Sequence, residues 1–186
     1  MGPLVAGGRV STVVLYAAIS LDGKLARPDG ALDWLPQVDA ASGDDYGYGD
    51  FYASIDALVM GRATFDQART FGAWPHADRP CYVFSHRALS SLPMSNTIQR
   101  VCEPVPDWLA RMDRAGYQRI WLVGGGKLAA DFFTAGCIDE MILTLVPEVL
   151  GEGIDLFAGP AASSWQLKQQ QSLSGGLIQL HYLRKQ

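Results

Sequence analysis

The chain has 186 residues, 48% of them hydrophobic and 18% charged, and its 15 Lys and Arg against 19 Asp and Glu leave a net charge of −4. That is enough chain to bury one core, and too apolar to stay disordered. The acidic balance, with no basic stripe, argues against a nucleic-acid partner but leaves room for a small anion held by local cations.

Cys81, Cys102 and Cys137 are far apart and odd in number. They read as small buried hydrophobes of a reduced, cytoplasmic protein. His76, His86 and His181 are scattered, so no metal-ligand spacing arises. No apolar run has the length of a membrane span, and no signal-peptide pattern opens the chain.

Residues 1–10 read as a flexible lead-in and 11–186 as one domain. Ser11 to Ile19 is β-branched and almost continuously apolar, which suits a strand covered on both faces. A long loop from Ser20 to Gly43 follows, with Asp22-Gly23, Pro28-Asp29-Gly30 and Pro36 as turn signals. So long a loop reads as a lid or binding segment. Asp44 to Ile55 predicts a helix, Ala57 to Met60 a short buried strand, and Ala63 to Thr70 a helix after Gly61. Strands are expected at Pro80–Phe84 and Thr97–Cys102, and a helix from Pro106 to Ala115. Ile120 to Val123 is a strand running into Gly124-Gly125-Gly126, and Leu128 to Ala135 is a helix ended by Gly136. Ile138–Val146 is strand-like, and Leu167–Leu173 with Leu177–Leu183 form a hairpin about Ser174-Gly175-Gly176. Strands alternating with helices predict a three-layer α/β/α domain, its central sheet mostly parallel with an antiparallel C-terminal hairpin.

The junction at Gly124 is the most informative stretch. A strand, three glycines and a helix start aim free backbone N–H groups and a positive dipole end outward, a natural seat for a pyrophosphate. Lys127 adds a cation, and Gly124 to Ala129 satisfies G-x-G-x-x-A. An ordinary tight turn explains the same glycines. A Rossmann fold does not fit, because the motif lies late in the chain and no acidic strand end follows it. Two more strand ends carry anion-binding groups: Gly61-Arg62-Ala63-Thr64 and Ser85-His86-Arg87. Either is also explained as a capping group or a solvated polar loop. In a parallel sheet the three loops share one rim, and a dinucleotide needs several anchors.

Tyr16-Ala-Ala-Ile-Ser-Leu-Asp-Gly23, Met60-Gly-Arg-Ala-Thr-Phe65, Tyr82-Val-Phe-Ser85, Val123-Gly-Gly-Gly-Lys-Leu128 and Ala135-Gly-Cys-Ile-Asp-Glu-Met-Ile-Leu143 resemble the dihydrofolate reductase superfamily. The chain is most similar there to stand-alone relatives of the reductase domain of bacterial riboflavin biosynthesis. The resemblance implies a dihydrofolate reductase-like fold and an NADPH-dependent reductase. By analogy, Gly61, Arg62 and Thr64 meet the cofactor phosphates, and Ser85, His86 and Arg87 take the adenosine 2′-phosphate. Gly124, Gly125, Gly126, Lys127 and Leu128 wrap the pyrophosphate, and Ala18 with Asp22, Gly23 and Lys24 lies by the nicotinamide. The implied substrate is a small heterocycle, such as 5-amino-6-(5-phosphoribosylamino)uracil, with dihydrofolate or non-catalytic NADPH binding as alternatives. A homodimer is expected from the resemblance and the apolar hairpin.

Two departures stand out. Riboflavin reductase domains usually carry lysine where Tyr16 stands, and commonly an acid where Gly124 stands. The catalytic acid of dihydrofolate reductases has no secure counterpart. Asp45, beside Asp44, is nearest by chain position and Asp22 is second, but helix-start and turn roles explain both. Trp34, Tyr46 and Tyr48 either line the substrate pocket or pack in the core.

Overall fold

The computed structural model describes residues 9–36, 45–89, 97–159 and 162–185. Its frame is an eight-stranded sheet in the order β5-β4-β3-β6-β1-β7-β10-β9. In chain order these strands are β1 (Thr12–Ser20), β3 (Ala57–Gly61), β4 (Cys81–Phe84), β5 (Ile98–Val101), β6 (Arg119–Gly124), β7 (Glu140–Val146), β9 (Trp165–Ser172) and β10 (Ile178–Arg184). From β5 across to β7 every neighbouring pair is parallel, while β10 runs antiparallel to both β7 and β9. The mostly parallel sheet and its antiparallel hairpin are as the sequence predicts. Val13, Val14 and Leu15 are fully buried, because β1 sits mid-sheet with helices on both faces.

Among the described residues, four α-helices complete the layers: α1 (Tyr48–Ala53), α2 (Arg62–Ala68), α3 (Val105–Arg114) and α4 (Gly126–Thr134). One core joins α3 and α4 to the sheet through Trp108, Leu109, Met112, Leu128 and Phe132 against Val13, Leu15, Ile120 and Leu122. A second, on the opposite face, joins α1 and α2 through Phe51 and Phe65, with Ile55 just after α1, to Val14, Leu58, Met60 and Trp121. Burial of each such large side chain contributes about 1.5–3 kcal/mol.

The loop expected from Ser20 to Gly43 is not structureless. It contains β2 (Lys24–Ala26), which pairs with β8 (Ile154–Asp155) in a two-stranded antiparallel ribbon. Three residues are too few to show a period, and their partner lies over a hundred positions away. The helix predicted from Asp44 begins at Tyr48, and Asp44 lies outside the described residues. Arg9, read as part of the lead-in, forms an ion pair with Asp139 and donates to the Cys137 carbonyl. Among the described residues no helix is long and apolar enough to cross a membrane.

Candidate functional site

Because β4, β3, β6 and β1 are adjacent and parallel, their carboxyl ends form one continuous rim. Open α/β sheets bind ligands at such a rim. At its centre β6 ends in Gly124, whose φ of +115° suits glycine, followed by a cis peptide to Gly125. Gly125 is the N-cap of α4 and no side chain caps that helix, so its first-turn amides stay available to a ligand.

The glycines are needed for close approach. A Cβ on Gly126 would stand 2.7 Å from the Asp155 carbonyl oxygen and 3.0 Å from Ile154 Cγ2. A Cβ on Gly125 would stand 3.2 Å from Thr64 Oγ1, and one on Gly61 3.7 Å from Leu128 Cβ. The first turns of α2 and α4 therefore meet, and the β2–β8 ribbon closes over them. Leu128 itself is buried in the core, so only its backbone remains for a ligand.

The basic side chains of this rim differ in their engagement. Lys127 and Arg87 are exposed, and among the described residues neither is in an ion pair. Arg62 instead braces its surroundings. Its Nε donates to Asp66 at 2.6 Å and its Nη1 to the Ala88 carbonyl at 2.8 Å, tying α2 to the loop after β4. The Ser85 hydroxyl accepts from the Arg87 amide at 3.1 Å and donates to the Arg87 carbonyl at 2.8 Å, while His86 is exposed. Sequence reasoning missed Arg100. It lies on β5, the strand paired with β4, and its Nη1 donates to Cys102 Sγ at 2.7 Å and to the Ser85 and His86 carbonyls at 3.4 and 3.5 Å. β5 reads Ile-Gln-Arg-Val, with Gln99 and Arg100 both exposed between buried Ile98 and Val101, so no alternation marked Arg100 out.

Cys102 corrects another expectation. It is exposed at the end of the edge strand β5, whereas Cys81 and Cys137 are buried. Burial pushes the Cys81 thiol up to about 12.

The far end of the rim joins β1 to β7 and β10. Asp22, one of the two carboxylates offered as catalytic, accepts from the Ser20 hydroxyl at 2.6 Å and from the Leu150 and Gly151 amides at 3.1 and 2.8 Å. Those bonds, the Ser20 one first, hold its carboxyl at about 2, so near neutral pH it has no proton to give. Gly23 has φ of +78° and its carbonyl accepts from Leu156, and Lys24 Nζ is 2.5 Å from Asp155. The 22–24 turn is thus fastened to the ribbon that covers Gly126. Asp45, the other carboxylate, accepts from the Gly47 and Gly49 amides at 2.9 and 2.7 Å, the helix-start role weighed for it.

Tyr16 and Tyr48 belong to an aromatic cluster. Tyr16 stacks on Phe51 with centroids 4.1 Å apart and meets Trp121 edge-on at 6.2 Å, and Tyr48 meets Trp121 at 5.9 Å. The Tyr16 hydroxyl pKa is raised by burial and by the nearby Asp45 carboxylate, against the opposing hydrogen bond of Gln179. Gln179 Nε2 also donates to Thr144 Oγ1 at 3.2 Å and to the Tyr46 carbonyl at 3.4 Å. Neither Gln179 nor Thr144 was legible as a site residue, since only the sheet register puts them beside Tyr16 and Ala18. Trp34 is buried against Val146, Leu177 and Ala18. Among the described residues its buried Nε1 has no hydrogen-bond partner, a donor that costs stability unless a ligand or water satisfies it.

Known proteins match this geometry. Residues 11–179 match the RibD C-terminal domain family. The chain is 35% identical to the Bacillus subtilis (strain 168) protein YwjB, over 92% of this chain and 97% of that one. A solved structure described as a putative riboflavin biosynthesis protein from Shewanella sp. PV-4 superposes with a TM-score of 0.83 at 28% identity, covering 94% of this chain and 99% of that one. Dihydrofolate reductase from Enterococcus faecalis shares the fold, with a TM-score of 0.64 at 16% identity over 94% and 97%. A match to the family model over residues 11–179, on a dihydrofolate reductase-like sheet with a rim of glycine turns, places this protein in the RibD C-terminal domain family.

Proposed function

We propose that the protein is an NADPH-dependent reductase of a small heterocycle. The observation that carries this reading is the meeting of Gly61 and Thr64 with the uncapped start of α4 at Gly125, flanked by the unpaired cations Arg87 and Lys127. Glycines that let two backbones approach, open amides and free cations fit a dinucleotide's phosphates. Gly124–Leu128 would hold the pyrophosphate, and Ser85, His86, Arg87 and Arg100 the 2′-phosphate. When bound, NADPH supplies the hydride. The chain's own residues do the rest. Ala18 and the 22–24 turn border the reacting end. Tyr16 keeps its hydroxyl protonated and offers a hydrogen-bond donor, as does the unpartnered Trp34 indole. The aromatic cluster excludes water from this end.

Dihydrofolate is less well supported as substrate, because both Asp45 oxygens are engaged by backbone amides. A homodimer in a reducing compartment completes the proposal, and a monomeric mass by light scattering would contradict the dimer. Titration with NADPH should quench Trp fluorescence and saturate between about 1 µM and 1 mM, the usual span of Michaelis constants. No binding at millimolar NADPH would refute the reading.

A further inference from the structure

The rim and the sheet face beside it differ in charge, and that difference bears on the substrate. All 15 Lys and Arg lie among the described residues, and those nearest the rim and the Tyr16 face are the following. Arg87, Arg100 and Lys127 crowd the cofactor rim. The two basic residues of the loop before Trp34 are both matched by acids: Lys24 by Asp155 at 2.5 Å, and Arg27 by Asp33 at 2.6 Å with Asp29 and Glu148 nearby. Arg119 sits at the amino-terminal edge of the sheet, held by Glu140 at 2.9 Å.

The register lays out two rows on the face that carries Tyr16. One runs Tyr16, Ile142, His181, Gln169, and the other Ala18, Thr144, Gln179, Gln171. With strands about 4.8 Å apart, each row extends about 14 Å outward from β1. A small cavity of about 60 Å³ opens on these rows, lined by Ile142, Gln169, Gln171, Gln179 and His181. The groups offered are carboxamides, a hydroxyl and an imidazole whose Nε2 is 3.0 Å from Glu140. Trp34 adds its buried, unpartnered indole N–H.

We infer that the substrate is an uncharged heterocycle whose polar arm carries hydroxyls and no phosphate. Its ring meets Tyr16 and Trp34, and its arm lies along Thr144, Gln179 and Gln171. Carboxamides and hydroxyls both donate and accept, which matches sugar-like hydroxyls. A phosphate is seated by Arg or Lys, or by free backbone N–H groups at a helix start. The two rows lie on strands and carry no Lys or Arg, so a phosphate on them would meet neither kind of seat, and it would face Asp45 and Glu140.

The inference rests on the reductase reading, and one experiment separates the two. NADPH alone is titrated first by calorimetry, and its failure to bind refutes the reductase reading. The NADPH-loaded protein is then titrated with 5-amino-6-(ribosylamino)uracil and with its 5′-phosphate. The phosphate-free compound should bind at least tenfold more tightly. Equal or tighter binding of the phosphate form, or binding of neither, overturns the inference. Tyr16→Lys should narrow the ratio of the two affinities at least tenfold by placing a cation on the first row. Gln179→Lys, on a different strand, makes the same test should Tyr16→Lys fail to fold. An unchanged ratio in the folded variant overturns the inference.

Discussion

The two ends of the rim are built by different means. The end at β6 and α4 uses backbone: Gly124, Gly125 and Gly126 bring α4, α2 and the β2–β8 ribbon together, and no side chain caps α4. The far end uses side chains from distant segments: Tyr16 on β1, Trp34 in a loop, Thr144 on β7 and Gln179 on β10. A backbone cradle tolerates little change in its glycines. A side-chain surface can be re-specified one residue at a time, as the tyrosine at position 16 illustrates.

This contrast can be broken most sharply at Gly126. Gly126→Ala forces a Cβ to within 2.7 Å of the Asp155 backbone oxygen. It should destabilise the fold by about 1–3 kcal/mol and weaken NADPH binding by more than tenfold. Thermal denaturation and fluorescence titration measure both, and unaltered cofactor affinity would mean that the glycine cradle is not the seat of the phosphates. Arg87→Ala should be milder and more selective. Loss of one charged hydrogen bond, worth about 1.5–3 kcal/mol, should raise the Kd for NADPH about tenfold or more and leave that for NADH unchanged. An equal loss for both cofactors would move the 2′-phosphate elsewhere.

At the far end, Gly49→Ala would place a Cβ 2.7 Å from Asp45 Oδ2 and displace that carboxylate. Substrate KM should then change several-fold while NADPH affinity does not, as steady-state kinetics and titration can decide. The smallest effect concerns acid stability. His76 is buried among Tyr52, Trp74 and Trp121, and its Nδ1 has no partner. Burial, opposed by Asp78, lowers its pKa below the ordinary 6.5. The unfolded chain therefore takes up the proton first. The stability from a neutral His76 is complete above pH 6.5 and is lost as pH falls toward the folded value, by at most about 1.4 kcal/mol per pH unit. Urea unfolding of His76→Phe should show a flatter acid slope, and an identical slope would assign the effect to other groups.

What could be read in advance follows the same division. Ile120 to Val123 followed by three glycines announces a strand, a turn and a helix start within a dozen residues, because hydrophobic runs and glycine punctuation are local signals. That the three strand-end loops share one rim was legible too, once alternation implied a parallel sheet. Arg62 was legible as a cation but not as a brace, since its partners Asp66 and Ala88 are fixed only after α2 and the loop after β4 fold together. Asp22 was visible beside a turn, yet the amides of Leu150 and Gly151 that fix its charge come from far along the chain.

By itself the amino-acid sequence determined the helices and the strands of the main sheet, the three-layer architecture and the glycine turns at the strand ends, because each depends on residues close in the chain. Tertiary structure alone decided that β2 pairs with β8, that Arg100 reaches the loop after β4, and that Gln179 and Thr144 stand beside Tyr16. Those neighbours depend on strand order and register, which bring positions up to about 160 residues apart within hydrogen-bonding distance and leave no periodic trace in either segment.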